Sequence, residues 1–243
     1  MKKQFITILV ALFVLLGMGI IFPQSASAAS AKFITGAQTT SKTIKAIEAH
    51  KSSISFEEGE LTYVSSPSEA VGDYLAKIFR NNPKLFYLKY WSYSYSYTDT
   101  SKSIIEIDVE YVMSADETAK ATQKLNKMVK RIESHVNKNW SIKKKAKVVN
   151  DEIKNVASYD YKFKNKNRQS AYGGLVDKKC VCEGYTMAYE LIMNDLGVKT
   201  TYKLNKNETH IWNKVVASDK YVDVCWNDTA ETNIYFWTNS HEM

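Results

Sequence analysis

The chain has 243 residues, of which 44% are hydrophobic and 24% charged, a composition that excludes a disordered or fibrous protein. Its formal net charge is +7, carried almost entirely by lysine, since arginine occurs only at Arg80, Arg131 and Arg168. A chain of this length can bury a core without disulfide or metal staples. Its three cysteines lack the CxxC spacing of structural zinc sites.

The first 28 residues are typical of a cleavable signal peptide. Lys2 and Lys3 precede an uncharged run from Phe5 to Phe22, and Ala26–Ala28 fits the small-residue cleavage pattern. The alternative is an uncleaved membrane anchor, because the run approaches the ~20 residues that span a bilayer. We favour cleavage and expect a secreted or cell-wall-associated protein. Loss of the two lysines would lower the formal net charge from +7 to +5.

Residues 29–113 are predicted to form an N-terminal α/β region. Residues 29–50 are rich in Ser, Thr, Lys and Ala, which indicates a loose leader. Helical spacing predicts a helix after Pro67 that ends at Asn81-Asn82-Pro83. Two alternating strands, joined by a turn at 98–103, predict an antiparallel hairpin.

The first strand of this hairpin carries an aromatic stripe, with serines on the opposite face. Its members are Leu85, Tyr87, Trp91, Tyr93, Tyr95 and Tyr97. The stripe is either a platform on which sugar rings stack or the core face of a half-buried sheet. Because an equally regular apolar strand follows, we favour the core.

Residues 114–243 form a second predicted domain, separated from the first by a change from strands to helices. Ser114 and Glu117 form a capping box at the start of one helix, and Ser141 begins another. No internal repeat is visible. Both helices have one apolar face at a period of 3.6 residues, so we expect them to pack against the domain core.

The sequence from Cys180 onward, CVCEGYTMAYELIMNDLG, predicts a helix that begins near Cys182 and ends at Gly197. A cysteine at a helix N-terminus is a candidate nucleophile. The positive end of the helix dipole favours a thiolate there, and backbone N–H groups are available to an oxyanion.

A thiol nucleophile needs a base, and the base needs a group that orients it. Two short strands follow the helix, one beginning at His210 and the other running from Lys220 to Asp228. Counted from the turn between them, His210 and Asp223 lie within a few residues of each other. We therefore expect a hydrogen bond from imidazole Nδ1–H to the Asp223 carboxylate.

Three motifs in this order, CVCEGYTMAY, THIWNKV and YVDVCWND, resemble those of the transglutaminase-like superfamily, specifically its bacterial secreted members. The resemblance covers about Val148 to Met243. It implies that Cys182 is the nucleophile, His210 the general base and Asp223 the orienting carboxylate. It also implies an α+β fold with a papain-like core, in which the nucleophile helix packs on an antiparallel sheet, preceded by the N-terminal helix and β-hairpin.

The chain departs from the family pattern at two cysteines. Cys180 stands where a small or polar residue is usual, and Cys225 stands where threonine is usual. If the triad assembles, both flank the same site, so we weigh a Cys180–Cys225 disulfide against two small buried thiols. In either case Cys182 must stay reduced to act as a nucleophile.

Two tryptophans, Trp212 and Trp226, belong to the same motifs, and we expect them to wall the active site and contact substrate. The alternative is that they are core residues of the hairpin. No phosphate-binding Gly loop, HExxH or EF-hand pattern occurs, so we expect no metal and no cofactor.

A Cys-His-Asp site supports acyl transfer through a thioester. Water as the acceptor gives a cysteine peptidase or amidase, and a lysine amine gives a protein-crosslinking transglutaminase. Cys182 is not in the Gln-Cys-Trp context of the animal crosslinking enzymes, and calcium ligands are not evident, so we favour hydrolysis. A third possibility is a non-catalytic module that binds wall polymers, against which the retention of all three triad residues argues.

The partners that we expect are an extracellular protein or a cell-wall peptide as substrate, with weak attraction to an anionic cell surface. Nucleic acid is a poor candidate. The lysine runs Lys143–Lys145 and Lys162–Lys166 have few of the aromatic or arginine partners that base recognition uses.

Overall fold

The computed structural model describes residues 4–8 and 32–240, with side chains for the second range. It divides into two compact units. The first unit consists of two segments of the chain, the described residues up to Phe79 and Leu88–Tyr111. The second unit consists of Arg80–Tyr87 and the described residues from Val112 onward. The molecule is a mixed α+β protein with antiparallel sheets and, in the described residues, seven α-helices.

The first unit is built on a six-stranded antiparallel sheet with the order β1-β5-β6-β4-β2, in which β3 pairs with β6. Its elements are β1 (Gln4–Ile8), β2 (Phe33–Thr35), α1 (Ala37–Glu48), β3 (Ser53–Ser55), β4 (Leu61–Tyr63), α2 (Pro67–Asn81), β5 (Leu88–Thr98) and β6 (Ser103–Tyr111). Cleavage after Ala28 would remove β1 from this sheet. Most of the predicted signal peptide lies outside the described residues.

The helix α2 confirms the helix predicted after Pro67. The prediction that residues 29–50 include a loose leader is wrong for the part of this segment that forms β2 and α1, and residues 29–31 lie outside the described residues. Residues 37–48 form α1, which has weak helix formers such as threonine but one buried face. Thr43 lies on this face and its Oγ1 is 2.8 Å from the Tyr74 hydroxyl of α2. Packing rather than intrinsic propensity therefore stabilises α1.

The aromatic stripe on β5 is only partly a core face. Tyr95 is buried, but Trp91, Tyr93 and Tyr97 are half-exposed, and the serines at 92 and 96 are buried instead. The register of β5 against β6 shifts between Leu88 and Tyr93 and again between Ser96 and Tyr97. Each irregularity breaks the two-residue alternation on which the prediction of one apolar face depended.

The second unit combines helices with a four-stranded antiparallel sheet of order β10-β9-β8-β7. Its elements are α3 (Ala115–Glu133), α4 (Ile142–Val156), α5 (Ala171–Leu175), α6 (Cys182–Asp195), β7 (Thr200–Leu204), β8 (Ile211–Val215), β9 (Lys220–Val222), α7 (Val224–Thr229) and β10 (Phe236–Thr238). Ser114 and Ser141 are the N-caps of α3 and α4, as predicted, and the Ser114–Glu117 capping box is present.

The helix α6 packs on β8 through polar contacts as well as apolar ones. Thr186 Oγ1 donates to the carbonyl of Ile211 at 3.0 Å, and Asn213 Nδ2 donates to the carbonyl of Thr186 at 3.2 Å. The predicted packing of the helix that begins at Cys182 on an antiparallel sheet is thus present. The papain-like details of the prediction remain untested.

Glycines let the start of α6 lie close to α5 and to the residues that precede it. A Cβ added at Gly184 would lie 2.5 Å from the carbonyl oxygen of Arg168 and 2.5 Å from Cys180 Cβ. One added at Gly174 would meet Cys180 Sγ at 3.4 Å. The glycine of the sequence Cys182-Glu183-Gly184 is therefore needed because a side chain would not fit, and not because of an unusual φ.

The predicted second strand of the hairpin is wrong beyond Val222. The strand β9 covers only Lys220–Val222, and α7 begins at Val224, directly after Asp223. Over so few residues, apolar-polar alternation is compatible with either a strand or a helix. The side chain of Asp223, which caps α7, favours the helix.

Among residues 4–8 and 32–240, no helix is both long and apolar enough to span a bilayer.

Candidate active site

Cys182 is the first residue of α6 and is partly exposed. The backbone N–H groups of Ile211 and Glu183 act on its thiol and lower the pKa. Ile211 directly follows His210 and opens β8, so the thiol lies at the point where the helix start meets the strand that carries the histidine. The predicted position of Cys182 at a helix N-terminus is confirmed.

The thiol of Cys182 does not have the lowered pKa that its position at the helix N-terminus predicts. Burial raises its pKa to about 11, and the negative charges of Glu183 and Asp223 act in the same direction. The two backbone N–H groups lower the pKa without overcoming burial. The resting side chain is consequently a neutral thiol at pH 7, and a base must take its proton.

His210 and Asp223 form a buried pair. Nε2–H of the ring donates to Oδ2 of Asp223 at 2.6 Å, and Asp223 is only 1% exposed. The predicted contact between the two side chains is confirmed, but the prediction that Nδ1 makes it is wrong.

Asp223 has a second structural role as the N-cap of α7. Its Oδ1 accepts a hydrogen bond from the backbone N–H of Trp226 at 2.9 Å, while Oδ2 serves His210. The two oxygens of one carboxylate thus fix both the imidazole and the start of the next helix. Holding the carboxylate at two points leaves it little rotational freedom.

Both tryptophans predicted to wall the site lie against the imidazole. Trp226 stacks on His210 with ring centroids 4.6 Å apart and an interplanar angle of 14°, and Trp212 stacks at 5.9 Å and 24°. Trp212 is buried and Trp226 half-buried. The structure thus gives each of them a role in positioning His210, and their contact with substrate stays a prediction.

Cys180 and Cys225 are buried, and all three cysteines are free thiols in this structure. Burial raises the pKa of both buried thiols well above the usual range. The Tyr185 hydroxyl donates to Asp228 Oδ2 nearby, and the charge of Asp228 contributes to both shifts. The Cys180–Cys225 disulfide stays a prediction.

Sequence reasoning missed a polar cluster next to the candidate nucleophile. Arg80 Nε donates to Oε1 of Glu183 at 2.7 Å, and Gln169 Nε2 donates to Oε2 at 3.1 Å. The Arg80 guanidinium also lies 5.9 Å from the ring centroid of Tyr202. The signal available in the sequence was Glu183, which directly follows the candidate nucleophile in the first turn of the predicted helix. A glutamate that is buried there requires a charged or hydrogen-bonding partner.

No group of three or more His, Cys, Asp or Glu side chains that could hold a metal ion occurs within the described part of the chain.

Comparison with known proteins finds no family model and no curated protein that matches the chain. Solved structures do match it, among them one named "Crystal structure of a TGase", with a TM-score of 0.36 and 14% sequence identity. The match covers 60% of this chain and 47% of that one, so the chain spans about half the length of that structure. A TM-score and an identity this low assign neither a family nor an activity to the chain.

Proposed function

We propose that this chain is a thiol-dependent acyl-transfer enzyme in which Cys182 attacks an amide carbonyl. The observation that carries the proposal is the buried His210–Asp223 pair at 2.6 Å. This pair lies directly before Ile211, whose backbone N–H lowers the pKa of the Cys182 thiol. A nucleophile, a base and an orienting carboxylate are the three parts that such chemistry requires.

The pairing of Nε2 with Asp223 determines which nitrogen acts as the base. An ionised carboxylate only accepts hydrogen bonds, so the proton of the neutral ring resides on Nε2. Nδ1 then carries the lone pair that takes the proton from Cys182. Stacking on Trp226 holds the ring plane, which limits the directions in which Nδ1 can point.

The proposed reaction has two half-reactions. Cys182 Sγ forms a bond to the amide carbon as its proton moves to Nδ1 of His210, and the C–N bond then breaks as Nδ1–H protonates the leaving amine. In the second half, His210 takes a proton from water, the hydroxide adds to the thioester, and the thiol leaves with that proton. The products are a carboxylic acid and an amine, so the overall reaction is hydrolysis of the amide.

The oxyanion formed in each step needs donors at the helix start. Cys182 is the first residue of α6, and the first N–H groups of a helix have no carbonyl partner within it. They point toward the same end as the thiol and carry the positive end of the helix dipole. We assign oxyanion stabilisation to this end of α6.

Hydrolysis is our first assignment and transfer to an amine is the second. The substrate that we propose is an extracellular protein or a cell-wall peptide, because the N-terminal sequence is typical of a signal peptide. Lysine-rich surfaces would keep the enzyme near anionic polymers.

The test uses purified mature protein and glutamine-bearing peptides, with and without a labelled primary amine. We expect peptide cleavage, an acyl adduct on Cys182 in mass spectra of acid-quenched samples, and loss of both in Cys182→Ala. Incorporation of the amine in place of cleavage would reverse the order of the two assignments. Undiminished turnover by Cys182→Ala would overturn the proposed function altogether.

A further inference from the structure

The segment 161–168, called here the basic loop, has an unusual surface. Tyr161 is 71% exposed and Phe163 is 41% exposed. Lysines alternate with these two aromatic side chains, and the loop contains four cationic residues and no acidic one: Lys162, Lys164, Lys166 and Arg168. Exposed aromatic groups interleaved with like charges have no role in a core, which points to a binding surface.

Both ends of the basic loop are attached to the residues that lead into Cys182. On entry, Tyr159 forms a parallel bridge with Cys180, and the backbone N–H of Asp160 donates to the Cys180 carbonyl at 2.9 Å. On exit, the Arg168 carbonyl accepts the backbone N–H of Val181 at 3.0 Å. Residues on either side of the loop therefore contact the positions one and two before the candidate nucleophile.

Internal hydrogen bonds hold the basic loop in one conformation. The backbone carbonyl of Asp160 accepts a hydrogen bond from the backbone N–H of Phe163 at 3.0 Å. Its side-chain Oδ2 accepts one from the backbone N–H of Asn165 at 2.8 Å. Asn165 Nδ2 donates to the Lys179 carbonyl at 2.6 Å, and Arg168 Nη1 donates to the carbonyl of Asn165 at 3.3 Å. Phe163 keeps a positive φ of 51°, a conformation that persists only where surrounding bonds enforce it.

The cations of the loop are not equally available. Lys166 Nζ donates to the Val112 carbonyl at 3.0 Å. Arg168 Nη1 donates to the backbone carbonyls of Phe163 and Asn165 within the loop. Lys162 and Lys164 are exposed and flank Phe163. These two side chains are therefore the ones that a ligand would meet.

We propose that the basic loop is a substrate subsite that selects peptides with carboxylates next to the scissile amide. Lys162 and Lys164 pair with the acidic side chains, while Tyr161 and Phe163 cover the apolar stem of the same segment. The inference rests on the proposed function, since it takes the thiol of Cys182 as the reacting atom. A fixed loop binds with less loss of conformational entropy than a mobile one, which favours recognition by this element.

The test compares peptides that share one scissile amide and differ in the flanking pair, Glu-Glu, Gln-Gln or Lys-Lys. For the wild type we expect kcat/KM to be about five- to tenfold higher for Glu-Glu than for Gln-Gln, mainly through KM, as two exposed charge pairs allow. The preference should shrink as salt is added. The double variant K162E/K164E should prefer Lys-Lys.

The matched control is K124E/K127E, which makes the same change in net charge on exposed lysines of α3. It should keep the wild-type preference. Equal effects of the two double variants would mean that net charge alone acts on the peptides, and the subsite would be ruled out. Loss of binding to a polyanion such as polyglutamate by K162E/K164E, with peptide KM unchanged, would also overturn it in favour of polymer binding.

Binding measured by fluorescence anisotropy in the Cys182→Ala background separates the two proposals. A preference for Glu-Glu peptides there, without any turnover by the wild type, would keep the subsite and overturn the enzyme assignment. Turnover by the wild type without any charge preference in either assay would do the reverse.

Discussion

Arg80 is joined to Glu183, the residue that follows the candidate nucleophile, by a hydrogen bond of 2.7 Å between Nε and Oε1. The arginine side chain is 19% exposed and the glutamate side chain 6%. The charge of Glu183 raises the pKa of the Cys182 thiol. By pairing with that charge, Arg80 limits the repulsion that a thiolate or an oxyanion would meet at the start of α6.

This relationship predicts opposite effects for the two partners. Glu183→Gln should lower the pKa of Cys182 and increase its rate of alkylation by iodoacetamide at pH 8, because the nearby negative charge is gone. Arg80→Gln should decrease the rate, because it leaves that charge without its cation. The double variant should behave like Glu183→Gln. If Arg80→Gln alkylates as fast as the wild type in this assay, the pair has no electrostatic role at the thiol.

The same variants predict a difference in stability. Arg80→Gln breaks a largely buried ion pair and should cost about 3 kcal/mol of unfolding free energy. The matched control is Lys89→Gln, which breaks an exposed pair with Glu110 of 2.6 Å and should cost less than about 1 kcal/mol. Denaturant unfolding measures both, and equal losses would contradict the assignment of Arg80–Glu183 as the stronger pair.

The reactivity of Cys182 should depend steeply on pH. Because burial raises its pKa to about 11, the thiolate fraction is small at pH 7 and grows about tenfold for each pH unit up to about pH 10. Alkylation rates followed by mass spectrometry should rise in that way. Cys182→Ala identifies the signal of this thiol. A rate that is already maximal at pH 7 would show that an ion pair with His210 has replaced the neutral thiol.

Local patterns predicted the parts of the site that depend on neighbouring residues. Helical periodicity and Gly197 placed Cys182 at a helix start, and the short connection between β8 and β9 brought His210 near Asp223. Tertiary relationships were not predicted. Arg80 and Glu183 are 103 residues apart, and no local pattern links them.

Two further features depended on details that a pattern of residue types does not contain. One is the end of β9 at Val222, where Asp223 caps α7, and with it the choice of Nε2 as the ring atom that meets Asp223. Likewise, α1 is stabilised by contacts with α2 such as Thr43–Tyr74, so its own composition gave no helical signal.

The double role of Asp223 can be separated by two substitutions. Asn is as good an N-cap as Asp, so Asp223→Asn should keep α7 and its stability. It should nevertheless lower kcat roughly 10³- to 10⁴-fold, because a neutral amide neither fixes the ring tautomer nor stabilises the imidazolium. Asp223→Ala should lose the activity and a further ~1 kcal/mol of stability. Kinetics and thermal unfolding together check the prediction, which equal stabilities for the Asn and Ala variants would contradict.

The buried side chain of Glu190 should make the stability of the protein depend on pH. It is 3% exposed, its Oε2 has no hydrogen-bond partner, and burial raises its pKa to about 8. The folded state therefore binds this proton more tightly than the unfolded state. The contribution of Glu190 to stability is highest below pH 4.5 and is lost as pH rises through 8. At pH 7 the loss attributable to Glu190 is on the order of 3 kcal/mol.

Glu190→Gln should remove this dependence. Its melting temperature should exceed that of the wild type at pH 8.5 and approach it at pH 4.5. Glu58→Gln, at an exposed position in the first unit, is the control and should follow the wild type at both values. A Glu190→Gln variant whose advantage is the same at both pH values would show that packing rather than ionisation changed.

Gly184→Ala tests the close approach of α6 to Arg168, which precedes α5. Alanine normally stabilises a helix by about 1 kcal/mol relative to glycine, but the new Cβ would lie 2.5 Å from the Arg168 carbonyl oxygen. Since that oxygen belongs to the backbone, the start of α6 must shift, and we expect a net loss of about 1–3 kcal/mol. Gly174→Ala, whose nearest contacts would be 3.4 Å, is the matched control and should be neutral or stabilising. Because Cys182 is on the segment that shifts, Gly184→Ala should also slow peptide turnover. A stable, fully active Gly184→Ala variant would show that this contact does not position the candidate nucleophile.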